Sequence, residues 1–404
     1  MYKLILCTFC AFLLCYGVKA QTSEINQVLG EIGQNNKELK AFQNYKESQQ
    51  LEFKTTNNLP DPQLSAFYLP FGTEAGNETT GDKTSNSTYR EFQVSQSFEF
   101  PTVYAARGKW IRQKEQQLHL KYTELRQNIL LSAKKHCLEL ISLRKRKAIE
   151  NQRIKQAKKV FDQVKELHQK EQLGILELNK ANVAWLQTQF DIDQIDNEIK
   201  STMLNLQKLN GGKYIDFNPS IFTEDLLLAP LDSIWQAKLS SDPNLQTLKS
   251  NEDVSFQKLK VEENKLLPNL TVGYNSQNTM GQRFSGFYGG ISIPLWSSKN
   301  KIKAAKAQYR YQKSHTEAST TEYYTSFQDQ YNQYQLLLKK FQEYQMTLEG
   351  LNSDGLLLQA YELGEISFLE YHLEIQFYHQ AYNKMLQMEN NLNQLKSELL
   401  IHQL

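Results

Sequence analysis

Cysteine and proline are both scarce in this chain of 404 residues. The shortage of cysteine excludes a disulfide framework, and the shortage of proline leaves long stretches without a helix breaker. Three of the four cysteines, Cys7, Cys10 and Cys15, lie close to the N-terminus, so Cys137 stands alone in the remainder and cannot form an internal disulfide there. The nine prolines leave two long gaps, from Thr102 to Asn218 and after Pro294. Because proline breaks a helix, these two gaps can hold helices of unusual length.

The chain also lacks an excess of charge and a strongly apolar composition. Its formal net charge is +2 and its pI about 8.1, which gives no argument for a nucleic acid partner. A mean hydropathy of −0.59 argues against a membrane protein built from apolar helices. No phosphate-binding loop, nucleophile elbow or zinc-binding helix motif occurs. We therefore expect no catalytic residues, no cofactor and no metal site, and we do not expect an enzyme.

The N-terminus has the pattern of a secretory signal peptide over residues 1–20. Lys3 precedes an apolar run, Leu4–Val18, and the segment closes with Ala20, a residue suited to signal cleavage. Two alternatives stay open. One is a short membrane anchor, although the run is shorter than the roughly 20 residues of a spanning helix. The other is a lipid anchor at Cys15, which lacks the small residue usual before a lipidated cysteine.

A β-hairpin is predicted between Pro268 and Pro294. Apolar and polar residues alternate along Leu270–Tyr274, and the same two-residue period returns in Phe287–Ile293 after a polar turn. Successive side chains of a strand point to opposite faces, so this alternation indicates two paired strands. A lone hairpin is marginally stable in water, and this one therefore needs partners elsewhere.

The hairpin has a copy earlier in the chain. Pro62–Tyr68 matches Pro268–Tyr274 without a gap at a spacing of 206, and Phe98–Pro101 matches Ile291–Pro294 at a spacing of 193. The spacing between matching residues is therefore smaller at the second strand of the hairpin than at the first. The first copy thus has the longer loop, and its extra length lies in the polar stretch Phe71–Arg90. Because loops tolerate a change of length and strands do not, the pattern indicates a duplication.

The sequence pattern of each copy predicts the same series of elements: a helix, a hairpin, a very long helix, a turn and a second long helix. In the first copy these helices are expected over Ser23–Phe53, about Tyr104–Lys170 and about Leu176–Leu209. At about 1.5 Å per residue, the very long helix would span on the order of 100 Å. Apolar residues recur at coiled-coil spacing in both copies, at Leu118, Tyr122, Leu125 and Ile129 and again at Tyr324, Phe327, Tyr331, Tyr334, Leu338 and Phe341.

The domain organisation predicted from these elements is two repeats and a linker. In the second repeat, Gly350, Gly355 and Gly364 are expected to mark the turn between the long helices. The predicted boundaries are 21–212 for the first repeat (hairpin about 62–101, long helices about 102–210), 213–240 for an irregular linker, and 241–404 for the second repeat (hairpin about 268–294, long helices about 297–402).

Four amphipathic strands in an exported chain require a closed sheet. Open hairpins would leave backbone groups unpaired at the sheet edges, and within a bilayer that cost is prohibitive. Membrane strands need about 9–11 residues, a length that the predicted strands approach. Because four strands cannot close a barrel around a lumen, several chains would each contribute four strands to a shared barrel above a shared helical tube.

The order of elements resembles the TolC-like outer membrane efflux factors over essentially the whole chain after residue 20. The resemblance rests on Leu59–Leu64, on the strand-to-helix junction Gln96–Pro101, and on Tyr361–Ser367 with the Leu369–Glu370 pair behind it. It implies a mainly α fold with membrane β-strands, in which a homotrimer builds a 12-stranded barrel in the lipid of the bacterial outer membrane. An α-helical coiled-coil tunnel would extend into the periplasm and dock to a periplasmic adaptor and an inner-membrane pump of the RND type.

In that family, the turns between the long helices form the periplasmic tip that touches the adaptor. The first turn departs from the family pattern, because Gly174 stands about three residues closer to its Leu-Glu pair than Gly364 does. The residues that the resemblance assigns to the tip are Gly174, Ile175, Gly364, Glu365, Ile366 and Ser367.

Two further groups of side chains suggest chemistry near the second turn and elsewhere. Glu370 and Glu374 could line a closed aperture as a ring of carboxylates from symmetry-related chains, and ordinary solvated positions on a helix face are the alternative. His372 and His379 share a helix face at seven-residue spacing, and His136–Cys137 is a second potential metal-binding pair. Ordinary helix positions explain both pairs, because no third ligand has suitable spacing.

The expected function is a passive export duct of a tripartite efflux system, driven by the inner-membrane pump. The chain looks similar to members paired with heavy-metal cation pumps, so heavy-metal cations or drugs are the expected cargo. A duct for type I protein secretion is one alternative, and a non-channel coiled-coil adaptor or scaffold of the periplasm is another. The duplicated hairpins favour a duct, since an adaptor does not need membrane-length strand pairs.

Overall fold

The structure is a computed structural model that describes residues 24–70, 88–279, 282–351 and 353–404. The predicted signal peptide, residues 1–20, lies outside the described residues, and so does most of the polar stretch Phe71–Arg90. Among the described helices, no stretch combines the length and the apolar character that a transmembrane helix needs.

The described residues form a mainly α structure in which one small sheet interrupts long helices, as predicted. The helices are α1 Glu24–Asn35, α2 Lys37–Thr55, α3 Pro101–Gln169, α4 Ile175–Leu209, α5 Leu231–Ser241, α6 Pro243–Asn264, α7 Lys301–Leu351, α8 Ser353–Glu362 and α9 Phe368–Leu399. The strands are β1 Gln63–Leu69, β2 Tyr89–Phe98, β3 Asn269–Thr279 and β4 Gln282–Ser292.

The helix predicted over Ser23–Phe53 is in fact two helices, because Asn36 interrupts it. The Asn36 side chain caps α2 by accepting the backbone N–H of Leu39 at 3.0 Å. Asparagine suits a helix N-cap because its short side chain satisfies a backbone donor that has no partner within the helix. The second copy repeats the break at the spacing of the duplication, where Asp242 caps α6 by accepting the N–H of Asn244 at 2.9 Å.

The irregular stretch between the copies is shorter than predicted. Helix α5 occupies the end of the range 213–240 that we expected to be irregular throughout, and it is the counterpart of α1 at the spacing of the duplication. Pro230, which immediately precedes α5, was a misleading signal. Proline breaks the interior of a helix but is tolerated at its start, where the missing N–H needs no partner.

The long helices of the first repeat agree with the prediction. Helix α3 has 69 residues, which gives a length of about 100 Å at 1.5 Å per residue. It begins slightly earlier than the helix predicted over about Tyr104–Lys170. Helix α4 ends just before Gly211 and Gly212, which take φ angles of +70° and +92°. These left-handed angles favour glycine, so the pair terminates α4 as expected.

The second repeat differs from the prediction at two of its three glycines. Gly350 is the next-to-last residue of α7 and Gly355 the third residue of α8, so each lies in a helix rather than in a turn. An isolated glycine is tolerated inside a helix at a cost of about 1 kcal/mol relative to alanine. Gly364 does lie in a turn, between α8 and α9, with a φ of +74°.

The two predicted hairpins form one antiparallel sheet in the order β1-β2-β3-β4. Strands β2 and β3 join the hairpins, with pairing that runs from Tyr89 opposite Thr279 to Phe98 opposite Leu270. Within the part of the chain that the structure describes, β1 pairs only with β2 and β4 only with β3. The sheet of a single chain is therefore open at both edges.

The sheet has two contrasting faces. We name as the apolar face the side that carries Leu64, Ala66, Tyr68, Phe92, Val94, Phe98, Leu270, Val272, Tyr274, Phe287 and Ile291, with Arg90, Gln96, Ser276, Asn278, Arg283 and Ser285 as its polar exceptions. We name as the polar face the side that carries Ser65, Glu91, Gln93, Ser95, Ser97, Thr271, Asn275, Gln277 and Tyr288, with Phe67, Leu69 and Phe284 as its apolar exceptions. Large side chains of the apolar face are open to solvent, with Phe287 91% and Leu64 68% exposed. Nothing in the described chain covers this face.

The core lies between the helices, in three clusters of buried side chains. One packs α1 against α3 and α4 around Ile32, and a second packs α5 against α7 and α9 around Tyr334. Tyr334 belongs to the coiled-coil seam predicted from its heptad spacing, and it is fully buried. The third cluster, around Phe368, lies beside the turns that connect α3 to α4 and α8 to α9.

Candidate functional site

The two turns between the long helices lie side by side. A groove of about 760 Å³ is lined from both turns, by Gly174 of the first and by Gly364, Ile366 and Ser367 of the second. The other two residues assigned to the tip, Ile175 and Glu365, are exposed next to it. The structure thus brings together the residues that the family resemblance placed at the tip.

The second turn is a Schellman motif centred on Gly364. The N–H of Gly364 donates to the carbonyl of Tyr361 at 3.0 Å, and the N–H of Glu365 donates to the carbonyl of Ala360 at 2.9 Å. This pair of bonds satisfies the last carbonyls of a helix and places one residue in the left-handed region. Glycine occupies that position here because it has no Cβ to clash.

The first turn has the same geometry, but its left-handed residue is Glu171, with a φ of 60°. The N–H of Glu171 donates to His168 at 3.0 Å, and the N–H of Gln172 donates to Leu167 at 2.9 Å. Glu171 and Gly364 are related by the spacing of 193 that the duplication shows in this part of the chain. The expectation that the first turn is three residues shorter was therefore wrong, because it aligned Gly174 with Gly364.

Exchanging the residue types at these two positions is expected to have opposite effects. Gly364→Ala should lower the free energy of unfolding by about 1 kcal/mol, because an L-residue at a left-handed φ is strained. Glu171→Gly should raise it by about 1 kcal/mol, because glycine removes that strain. Hydrogen exchange of the α8–α9 and α3–α4 amides, together with the thermal midpoint, measures both changes.

Gly350→Ala is the matched control for Gly364→Ala. Gly350 is the next-to-last residue of α7, with open space around its Cα and no left-handed φ. Alanine there should be neutral or stabilising, by less than about 1 kcal/mol, because the gain from helix propensity is largest in a helix interior. A stabilising Gly364→Ala would contradict the left-handed turn.

Helix α9 begins with a capping box formed by Ser367 and Glu370. The Ser367 Oγ accepts the N–H of Glu370 at 3.2 Å, and a Glu370 carboxylate oxygen accepts the N–H of Ser367 at 2.8 Å. These hydrogen bonds lower the pKa of Glu370. The equivalent pair at the start of α4 is Gly174 and Glu177, which lacks the capping hydroxyl.

The two carboxylates considered for an aperture ring lie one turn apart on α9. Glu370 and Glu374 are both exposed in the single chain. Glu370 is engaged at the helix start by its capping bonds, so its first role is local. A ring would need copies of this face to meet around an axis, and it remains a proposal.

Large apolar side chains are exposed on the elements that form the groove, and one of them, Leu369, lines it. We name this set the tip patch; its members are Ile175, Leu176, Leu363, Leu369, Leu373 and Phe377. Leu176 and Leu369 are equivalent in the duplication, at a spacing of 193. Several exposed large apolar side chains close together along the chain elements of one end indicate an interaction surface.

A polar cavity of about 250 Å³ lies between α3, α4 and α9, near the tip. Arg153 lines it and pairs with Glu150 at 2.6 Å, and both side chains are only 5% exposed. Arg153 also donates to the side-chain oxygen of Asn383 at 3.0 Å, so this pair ties α3 to α9. Sequence reasoning missed this site, because Asn383 and the other α9 residues that line it lie far from Glu150 and Arg153 along the chain.

His372 and His379, considered for metal binding, both line this cavity. Burial, with Arg153 and His372 nearby, lowers the pKa of His379 to about 3. Across the described residues, no three His, Cys, Asp or Glu side chains are grouped so that they could hold a metal ion. Cys137, the partner in the second pair, is buried in the first core cluster, and burial raises its pKa to about 12.

Comparison with known proteins by sequence gives no match. No family model matches the chain, and no curated protein is recognisably similar to it. Similarity appears in the fold. CusC, described as forming a transmembrane channel, superposes with a TM-score of 0.74 at 13% identity, over 93% of this chain and 92% of that one.

Two more solved structures show the same likeness. The outer-membrane channel OprN gives a TM-score of 0.75 at 14% identity, over 94% of this chain and 89% of that one. The outer membrane protein VceC of Vibrio cholerae gives 0.73 at 12% identity, over 94% and 95% of the two chains. At such low identity the likeness establishes the fold. The chain therefore has the fold of the outer membrane channels to which its sequence resemblance pointed.

Proposed function

We propose that this chain is the outer membrane channel of a tripartite efflux system, acting as a homotrimeric passive duct. The sheet carries this proposal, because its exposed apolar face, its polar face and its two open edges suit one arrangement. Three copies joined from β4 of one to β1 of the next would close a barrel of about 12 strands. The apolar face would contact lipid and the polar face would line the lumen.

An exposed seam on α4 supports self-assembly. Of the six large apolar side chains that α4 exposes, all but Ile175 have successive spacings of seven, three, four and fourteen residues: Leu176, Val183, Leu186, Phe190 and Leu204. This is the heptad spacing of a coiled coil. No helix of the described chain covers these side chains, and a helix of a second copy would do so. Adjacent copies would thereby build the wall of a helical tunnel.

The tip patch supports docking to a periplasmic adaptor. Its apolar side chains lie at the two turns and along the first three turns of α9, at the end of the helices about 100 Å from the sheet. An adaptor that covers these side chains would link the duct to an inner-membrane pump of the RND type, which supplies the energy. Glu370 and Glu374 would then line the aperture next to the docking surface.

The proposal is tested by location and assembled mass. The full chain, expressed in a Gram-negative bacterium, should fractionate with the outer membrane and, after mild detergent extraction, have three times the native mass of one processed chain. A soluble periplasmic monomer or dimer would contradict the duct. It would favour the alternative of a coiled-coil scaffold.

Trp296 provides a measurement of membrane depth. It lies just after β4 and is 81% exposed, next to exposed Leu295 and followed by Lys299 and Lys301. Tryptophan and lysine in this order are typical of the boundary between hydrocarbon and water. In vesicles that contain brominated lipids, we expect strong quenching of a variant in which Trp296 is the sole tryptophan.

The matched control keeps Trp235 as the sole tryptophan. Trp235 is buried in the second core cluster, between α5 and α7, and its fluorescence should not respond to the brominated lipids. Equal quenching of the two variants would argue against this placement of the membrane. Loss of the trimer in either variant, checked by native mass, would identify a failure of folding.

A further inference from the structure

The four strands carry very little charge, and it is unequally divided between the two faces. Their charged residues are Arg90, Glu91 and Arg283. Strand pairing places Arg90 and Arg283 on the apolar face, and Glu91 is the one charged residue of the described strands on the polar face. If three copies form the barrel, the described strands contribute three carboxylates and no cation to the lumen.

The Glu91 carboxylate is held in place by neutral groups. The hydroxyl of Tyr89 donates to one oxygen at 2.6 Å, and the side-chain amide of Asn275 donates to the other at 2.5 Å. The amide of Gln277 lies 3.4 Å from the same oxygen. Hydrogen bonds from neutral donors favour the ionised form and leave its negative charge uncompensated. The carboxylate is therefore both oriented and unneutralised.

We propose that Glu91 gives the barrel lumen a preference for cations over anions, through a ring of three fixed carboxylates. This inference rests on the proposed trimeric duct and identifies a residue that determines its selectivity. Rings of like charge within a pore attract ions of the opposite sign. The effect depends on ionic strength, because salt screens charges beyond about 10 Å at 0.1 M and about 3 Å at 1 M.

Ser65 and Ala66 allow the local potential to be measured. Ser65 lies on the polar face of β1, opposite Gln93 and two residues from the position opposite Glu91, whereas Ala66 lies on the apolar face opposite Phe92. The probes are a cationic trimethylammonium and an anionic sulfonate methanethiosulfonate reagent of similar size, applied to outer membranes that hold the full-length protein. Cys137 does not compete, because it is buried and burial raises its pKa to about 12.

We expect Ser65→Cys to react faster with the cationic reagent than with the anionic one. Adding Glu91→Gln should lower that ratio of rates about threefold at low ionic strength, and the difference should vanish at about 1 M salt. Glu91→Asp should keep the ratio. Arg90→Gln is the matched control, because it removes a neighbouring charge from the other face and should leave the ratio unchanged.

The outcomes separate this inference from the proposed function. Reaction at Ser65→Cys without reaction at Ala66→Cys supports the proposal that the polar face lines a water-filled lumen and the apolar face contacts lipid. If Ser65→Cys does not react, the proposed pore and this inference both fail. If it reacts but Glu91→Gln leaves the ratio unchanged, or Arg90→Gln changes it equally, the inference about Glu91 alone is overturned.

Discussion

Replacing Arg153 by methionine is expected to lower the free energy of unfolding by about 3–5 kcal/mol. The change leaves the Glu150 carboxylate in a site where both partners are only 5% exposed. Water cannot solvate that carboxylate as it does in the unfolded chain, so the folded state bears the cost. Asn383 also loses the donor that ties α9 to α3. The thermal or urea midpoint, measured by circular dichroism at fixed protein concentration, reports the loss.

Two further variants test whether the loss of stability comes from the burial of the ion pair or from the loss of a positive charge alone. Lys340→Met breaks the Lys340–Glu343 pair, which has the same three-residue spacing but is exposed on α7, and it should cost less than about 1 kcal/mol. The double variant Glu150→Leu with Arg153→Met removes both buried charges. It should recover most of the loss, since an apolar pair of similar volume can replace a buried ion pair. A double variant as unstable as Arg153→Met would contradict this account.

Acidification is expected to weaken the helical region through His379. Its pKa is about 3 in the folded chain against an ordinary value of 6.5. The unfolded chain therefore takes up a proton at this imidazole as the pH falls below 6.5, while the folded chain does not until about pH 3. The stability contributed by neutral His379 is complete above about pH 6.5 and is lost as the pH falls towards 3, by up to about 4 kcal/mol.

His379→Gln removes this titration and should flatten the dependence of the unfolding midpoint between about pH 7 and pH 4. The groups that line the same cavity, Glu150, Arg153, Asp191 and His372, are unchanged in the variant, so the difference from the wild type isolates His379. His119→Gln is the control, because His119 is exposed on α3, and it should follow the wild-type curve. Parallel curves for all three proteins would sink the prediction.

The duplication and the strands could be predicted from sequence because each repeats a short-range pattern. Alternation along Leu270–Tyr274 specifies two faces, and the gap-free match to Pro62–Tyr68 specifies a second copy. The helix break at Asn36 escaped prediction, because Leu39 continues the helical spacing of Ile32 across it. Capping by one side chain is a weaker signal than apolar periodicity.

The conformation of the first turn could not be predicted from the position of its glycine. The comparison of the two turns aligned Gly174 with Gly364, but the residue with the positive φ in the first turn is Glu171. The spacing of 193 would have found it, since it relates Glu171 to Gly364 as it relates Leu176 to Leu369. The three-residue spacing of Glu150 and Arg153 is common on exposed helix faces, and their burial and the contact with Asn383 depend on how α3 and α9 pack.

The central strand pair also imposes an order on folding. Phe98 and Leu270 are neighbours in the sheet, yet the entire helical part of the first repeat and the start of the second separate them along the chain. Contacts between residues so far apart form slowly, because a long loop must close first. The first hairpin is synthesised well before β3 exists to pair with it. The four-stranded sheet is thus completed only after synthesis of both hairpins, and a chain that ends after α6 would keep α3 and α4 but have no strand to pair with the free edge of β2.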